Sequence, residues 1–353
     1  MNSKSIFHKE NNSPLVIAGP CSAESRDQVL ETAKALKDMG ITIFRAGVWK
    51  PRTKPGGFEG AGDVALEWLG DVRRETGMKT CCEVATPEHL NKAIQSGVDI
   101  LWTGARTTAD PFAVQALADA IKEYSLSSIT LLVKNPVNPD VELWAGAVER
   151  FINAGVKSIA LVHRGFSSYN TGIYRNLPLW HIPIEMKRRF PDIPLLCDPS
   201  HMGGHRNLIL PLSQQALDLM YDGLMIECHC NPDNALSDKQ QQLSPAQLKE
   251  VLASLKPRQE GSQINLESLR KQIDSLDDEI LKLLKERMDV SQKIGDYKQE
   301  HNMSVLQSQR YGEIVEKSRL QAEALGLDTD FAAQMMELIH KESVRLQLSR
   351  RKS

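Results

Sequence analysis

A chain of 353 residues that is 41% hydrophobic and 25% charged can bury a sizeable core, as one large domain or two smaller ones. Its net charge of -2 excludes a general polyanion binder, so nucleic acid is not an expected partner and any basic site must be local. No apolar run reaches membrane-spanning length and the opening MNSKSIFHKENNS lacks the apolar core of a signal peptide, so a cytoplasmic protein with reduced cysteines is expected, with no membrane partner.

From Leu15 to about Cys230 the chain alternates short apolar runs with helical stretches. The runs are LVIAGP, ITIFRAG, KTCCEVA, DILWTGA, TLLVKN, SIALVHR, PLLCDPS and GLMIEC. Helical segments such as SRDQVLETAKALKDMG and TPEHLNKAIQSG end in glycine, as helix C-termini tend to. Continuous apolar runs between helices indicate parallel strands buried on both faces. Eight such units predict an α/β fold, a (β/α)8 TIM barrel over residues 1–255, and favour it over a doubly wound sheet, which lacks its Gly-rich first turn here. Cys81-Cys82 and Cys228-His229-Cys230 lie inside apolar runs without Cys-x2-Cys spacing, so they read as buried small hydrophobes.

Residues 256–265, with Pro, Gly and charge, form a linker, and residues 266–353 carry only helical signal. Leu266, Leu269, Ile273, Leu276, Ile280, Leu283, position 287, Val290 and Ile294 follow steps of three and four, an apolar seam of about four heptads. A helix over Leu266 to Gln299 would run about 51 Å, more than so short a tail can cover. The seam is therefore expected to pair with the same helix of a second chain, as an intertwined dimer. Arg287 on that seam reads either as a register-setting polar residue or, with Lys298 four residues past Ile294, as one wall of an anion cavity. Met336, Ile339, Ser343 and Gln347 make a second stripe that turns polar towards its end.

A barrel of this kind places its active site at the C-terminal strand ends. The residues expected there are Cys21, Arg45, Lys50, Arg52, Thr53, Glu83, Arg106, Lys134, Arg164, Asp198, His201 and Glu227, with Asp238 in the loop beyond. Cys21, His201, Glu227 and Asp238 form a mixed S, N and O set suited to a divalent transition metal. Arg45, Lys50, Arg52, Arg106, Lys134 and Arg164 would repel one another unless anions bind. The implied substrates carry phosphates and a carboxylate.

Taken together, GPCSAES, RAGVWKPRT, GART, LLVKNP, HRG, DPSHMGG and ALSD resemble the 3-deoxy-7-phosphoheptulonate (DAHP) synthases over roughly residues 15–255. The related octulosonate 8-phosphate synthases carry Ala-Asn between the Lys and Arg of the second motif, so KPRT points to the heptulonate enzymes. The resemblance implies that Cys21, His201, Glu227 and Asp238 bind Mn2+ or a similar metal, which would polarise an aldehyde. It also implies that Arg45, Lys50, Arg106, Lys134 and Arg164 hold phosphoenolpyruvate. Arg52 and Thr53 would grip the phosphate of erythrose 4-phosphate, with Asp198 positioning that sugar. His163 in HRG stands where relatives often have an acidic or small residue, a change expected to matter little. The short lead before the first run implies no added N-terminal regulatory domain.

The spacing LR…ERMDVSQKIGDYK…R…ESVRLQ is similar to the all-helical chorismate mutases. That resemblance implies that Arg287, Arg310 and the partner chain's copy of Arg270 bind substrate carboxylates. Lys298 and Gln347 would contact the ether oxygen, and Ser343 would support a carboxylate. Many relatives have Glu where Tyr311 stands and Asp where Gln307 stands, so a weak mutase is an open alternative, as is a tail that mainly dimerises and senses a ligand with little catalysis. The leading expectation is a bifunctional enzyme whose synthase is inhibited by prephenate or chorismate bound in the tail. Independent tethered domains are the plainer alternative.

Overall fold

The computed structural model describes residues 14–50, 56–124, 129–169, 171–256, 263–305 and 308–350. It divides into two compact units, Met1–Gln259 and Glu260–Ser353. The first opens with β1 (Leu15–Gly19), α1 (Arg26–Asp38), β2 (Ile43–Arg45), α2 (Val64–Thr76), β3 (Lys79–Val84), α3 (Pro87–Gln95) and β4 (Ile100–Thr103). It continues through α4 (Ala105–Thr108), α5 (Pro111–Ile121), β5 (Thr130–Lys134), α6 (Val141–Asn153), β6 (Ser158–His163), α7 (His181–Arg189) and β7 (Leu195–Cys197). It ends with α8 (Pro199–Gly203), α9 (Ile209–Asp218), β8 (Gly223–Glu227) and α10 (Pro245–Ser254).

The eight strands are parallel and form a closed barrel in sequence order. Closure is made by β1, which pairs with β2 on one side and along its whole length with β8 on the other, Gly19 opposite Glu227. All eight apolar runs became strands, as expected for segments buried on both faces. Alternation along each strand sends Ile17, Ile43, Cys81, Ile100, Trp102, Leu132, Val162, Leu196 and Met225 into the barrel interior. The intervening residues, such as Ala18, Phe44, Cys82, Leu101 and Val133, pack outward under the helices. Local chemistry fixes the helix ends: Ser25 caps α1 by accepting from Gln28 N, and Thr86 caps α3 with Pro87 at its first position. Gly97 follows α3 with φ 74. Cys81, Cys82 and Cys228 are buried, Cys230 is half-buried, and all six cysteines are free thiols.

The second unit contains α11 (Gln263–Glu300), α12 (Ser308–Leu325) and α13 (Thr329–Arg350), with α13 packed on both others. The first helix begins three residues before the sequence-predicted start and ends one residue later. Its face towards α13 is polar and small: Ser291, Gly295 and Lys298 are buried. A Cβ at Gly295 would lie 3.0 Å from Gln347 Cγ, so glycine permits the close approach of the two helices. The apolar seam lies elsewhere on α11. Ile273, Leu276, Ile280, Leu283, Val290 and Ile294 are between 44% and 64% exposed in the single chain. Among the described residues no helix is long and apolar enough to cross a membrane.

Candidate active sites

The barrel mouth is built where β1, β2 and β8 meet. Cys21 lies two residues past β1 and is fully buried, with its backbone N donating to Gln242 Oε1 at 2.8 Å. Its thiol donates to Asp238 Oδ2 at 3.3 Å and accepts from Lys50 Nζ at 3.1 Å. Lys50 can fold back this far because residue 47 is glycine: a Cβ there would lie 2.7 Å from Lys50 Nζ and 2.6 Å from Cys21 O. Burial, with the negative charges of Glu227 and Asp238, pushes the Cys21 thiol up to about 12 against the pull of Lys50 and Arg45.

Opposite stand Asp198, His201 and Glu227. Asp198 caps the short helix α8 by accepting from His201 N, and its other oxygen accepts from Lys134 Nζ at 2.7 Å. His201 Nδ1 lies 2.8 Å from Asp198 Oδ2, and Nε2 lies 3.6 Å from Glu227 Oε1. Burial holds His201 below its ordinary pKa, which favours the neutral imidazole a metal requires. Glu227, at the end of β8, is fully buried; Oε2 accepts from Gln241 Nε2 at 2.8 Å, while Oε1 has no hydrogen bond among the described residues. Burial alone would raise its pKa, but His201, Arg45 and Lys50 outweigh it and keep it lowered. Asp238 adopts φ 46, a left-handed conformation for a residue with a side chain, and Arg175 Nη1 donates to its Oδ1 at 3.0 Å.

These four metal-type donors stand in two pairs, Cys21 with Asp238 and His201 with Glu227. No three of them close to metal-holding distance among the described residues. Their chemistry nevertheless fits a divalent transition metal: one soft thiol, one neutral imidazole and two carboxylates, with Glu227 Oε1 buried and without a hydrogen bond among the described residues.

The cations surround this set. Arg45, at the end of β2, is 1% exposed. Its Nη2 donates to Cys21 O at 3.2 Å and lies 3.4 Å from Glu227 Oε1, whereas Nε and Nη1 have no hydrogen bond among the described residues. Lys134 ends β5. Arg164 follows β6, where its backbone N donates to Asn135 Oδ1 at 2.7 Å; burial, and the nearby Arg175 and Arg106, bring its guanidinium down to about 10 despite Asp198. A nearby anion would favour its charged form. Arg106 lies on α4 with its side chain exposed. Arg52 and Thr53 lie outside the described residues.

In the helical unit, Arg287 Nη1 donates to Ser343 Oγ at 2.6 Å, joining α11 to α13. Gln347 Nε2 donates to Ser291 Oγ at 3.1 Å, its Oε1 buried without a hydrogen-bond partner among the described residues. Lys298 Nζ donates to Val305 O at 2.8 Å. Burial lowers the Arg287 pKa; burial, with the charges of Arg287 and Lys298, also lowers that of His340. Arg270 is exposed on α11; Arg310 lies in the first turn of α12, and Gln307 falls outside the described residues.

Residues 1–263 match the DAHP synthetase I family, and residues 269–348 match chorismate mutase type II. The chain belongs to the DAHP synthetase I family. It carries a DAHP synthase domain and a chorismate mutase domain, a transferase and an isomerase in one polypeptide. It is 33% identical over 241 residues to a phospho-2-dehydro-3-deoxyheptonate aldolase of Thermotoga maritima, covering 68% of each protein. A 2-dehydro-3-deoxyphosphooctonate aldolase of Aromatoleum aromaticum is 27% identical over 262 residues, covering 68% of this chain and 89% of the relative. The crystal structure of the Thermotoga maritima DAHP synthase superposes with TM-score 0.61 at 29% identity, covering 75% of this chain and 70% of that one.

Sequence reasoning missed several residues that meet the candidate site at the barrel mouth. Arg175 and Gln241 join into one chain of hydrogen bonds, Arg175 Nη1 reaching Gln241 Oε1 at 2.7 Å and Gln241 reaching Glu227. Together with Asp238 they line a cavity of about 540 Å3. Gln242, fully buried, ties the Cys21 backbone to Ser237 O. Arg175 and both glutamines sit in long loops rather than at strand ends, and only folding brings them to the mouth. The sole sequence signal was a polar run, DKQQQ, beside Asp238.

Proposed function

We propose that the barrel condenses phosphoenolpyruvate with erythrose 4-phosphate to give DAHP and inorganic phosphate, and that the helical domain rearranges chorismate to prephenate. The observation that carries the first part is a buried Arg45 whose Nε and Nη1 have no hydrogen bond among the described residues, with its Nη2 3.4 Å from Glu227 Oε1 and its guanidinium sharing the Trp102 ring with Lys134. Arg45, Lys50, Arg106, Lys134 and Arg164 hold the carboxylate and phosphate of phosphoenolpyruvate. Its methylene carbon bonds to the aldehyde carbon, water adds to the cationic centre left behind, and phosphate departs with the ester oxygen. Cys21, His201, Glu227 and Asp238 would hold a divalent transition metal, Mn2+ or similar, whose contribution is Lewis-acid polarisation of the aldehyde. Arg52 and Thr53 take the sugar phosphate, and Asp198, fixed by Lys134 and His201, orients the sugar.

In the mutase, Arg287, Arg310, Ser343 and a partner chain's Arg270 take the carboxylates, and Lys298 and Gln347 the ether oxygen. A pericyclic step needs only a constrained conformer and cations at the breaking C–O bond. The exposed seam of α11 supports a homodimer through this domain. We further propose that prephenate or chorismate bound in the tail inhibits the barrel, in a cytoplasmic enzyme at the head of aromatic biosynthesis. One observation favours a tail with weak turnover that mainly dimerises and senses ligand: the Tyr311 ring packs 5.1 Å from that of His340, with no carboxylate at position 311.

Both reactions assayed on one purified sample, with and without prephenate, test this reading. Product from erythrose 4-phosphate but not from arabinose 5-phosphate, chorismate turnover, and synthase inhibition by prephenate are expected. Use of arabinose 5-phosphate in preference would reassign the barrel; undiminished synthase rates at saturating prephenate and chorismate would remove the regulatory part.

A further inference from the structure

Trp102 lies on β4, points into the barrel and is fully buried. Three charged groups converge on it. The Arg45 guanidinium carbon is 4.9 Å from the ring centroid and Lys134 Nζ is 5.7 Å from it, both within cation–π range. Its Nε1–H donates to Glu83 Oε2 at 3.1 Å, across the β3–β4 ladder where Glu83 and Trp102 are register partners.

Two buried cations side by side repel, and carboxylates only partly relieve this. Lys134 bonds Asp198, and Arg45 lies 3.4 Å from one oxygen of Glu227. A further carboxylate would satisfy Arg45 but would also occupy its Nε and Nη1. An indole face differs: its negative quadrupole attracts a cation without a lone pair that competes for N–H donors. That matches what is seen, since Arg45 Nε and Nη1 are buried with no hydrogen-bond partner among the described residues.

We propose that Trp102 is a positioning residue for the anion site. Its ring face holds Arg45 and Lys134 together with their donors free for the carboxylate and phosphate of phosphoenolpyruvate, and its N–H bond to Glu83 sets the tilt of the ring. This rests on the reading of the barrel as a phosphoenolpyruvate site. The plainer alternative is a side chain that fills the barrel interior beside Ile100 and Leu132.

The two differ in what they ask of the ring: packing needs volume, whereas cation–π attraction needs electron density. Fluorinated tryptophans change density with little change of size. The full-length protein, loaded with Mn2+, is produced with tryptophan, 5-fluorotryptophan or 5,7-difluorotryptophan, and phosphoenolpyruvate binding is measured by calorimetry. The five tryptophans are all labelled, so the same series is run in Trp102→Phe. We expect Kd to rise about 2-fold with each fluorine in the wild-type background and to stay flat in Trp102→Phe. A flat wild-type series, or an equally steep one in Trp102→Phe, overturns this inference alone. Failure of the unlabelled wild type to bind phosphoenolpyruvate overturns the underlying reading together with it.

Discussion

His163 shows what burial does to one side chain. It is enclosed by Trp144, Phe166, Trp180 and Tyr221, and its Nδ1 lies 2.9 Å from the Tyr221 hydroxyl. Burial, helped by the charge of Arg164, lowers its pKa to about 3. The unfolded chain, with an ordinary value of about 6.5, then binds a proton that the folded chain refuses. His163 therefore contributes fully above about pH 6.5, and stability is lost as pH falls from there towards 3, by up to about 1.4 kcal/mol per unit. Melting temperature against pH should fall less steeply between 6.5 and 4.5 for His163→Gln than for wild type; parallel curves would show that this imidazole is not the proton acceptor. Cys21 belongs to the same scale. Its place between Lys50 and Asp238 predicts that Cys21→Ala loses at least about 10-fold in metal affinity, measured by dialysis against a chelator, and loses synthase turnover while mutase turnover stays intact. Wild-type metal content in that variant would remove Cys21 from the ligand set.

At the scale of elements, the eight strands were legible because each run is apolar on both faces, and turn residues or charge stop it. β2 and β7, three residues each, are shorter than the runs that announced them. The helical tail was equally legible in type, but the partition of its faces was not. Counted in steps of three and four, Arg287 and Lys298 fall on the same stripe as the apolar seam. In the structure α11 turns Ser291, Gly295 and Lys298 towards α13, while the leucines and isoleucines point away. A period of 3.6 drifts off a strict heptad over so long a helix, so one stripe in sequence becomes two faces in space. Arg287 is half-buried and held by Ser343 alone among the hydrogen bonds described, in surroundings that disfavour its charge. Arg287→Met should keep or raise the melting temperature of the helical unit and lower chorismate turnover by about 100-fold or more. Collapse of stability with unchanged turnover per folded molecule would make the residue structural.

At the scale of the whole molecule, four large side chains, Ile273, Leu276, Ile280 and Leu283, are left in water by a single chain. Burying the exposed half of each is worth about 1 kcal/mol or more, enough over four residues on each of two chains to favour association. Ile280→Glu should shift the protein to a smaller assembly in sedimentation and cut chorismate turnover at least about 10-fold, the result expected of the proposed site that takes Arg270 from a second chain. An unchanged mass would show that this seam does not join two chains. By itself the sequence determined the classes of element, the barrel order and the strand-end residues, because apolar period, turn chemistry and strand polarity are local properties. It could not set the contacts between loops. The tie from Cys21 to Gln242 spans 221 positions, Arg175 meets Asp238 across 63, and the Trp102 ring beneath Arg45 and Lys134 joins three strands. Those pairings depend on which backbones the closed barrel brings within a few ångströms, and only the packed tertiary structure decides that.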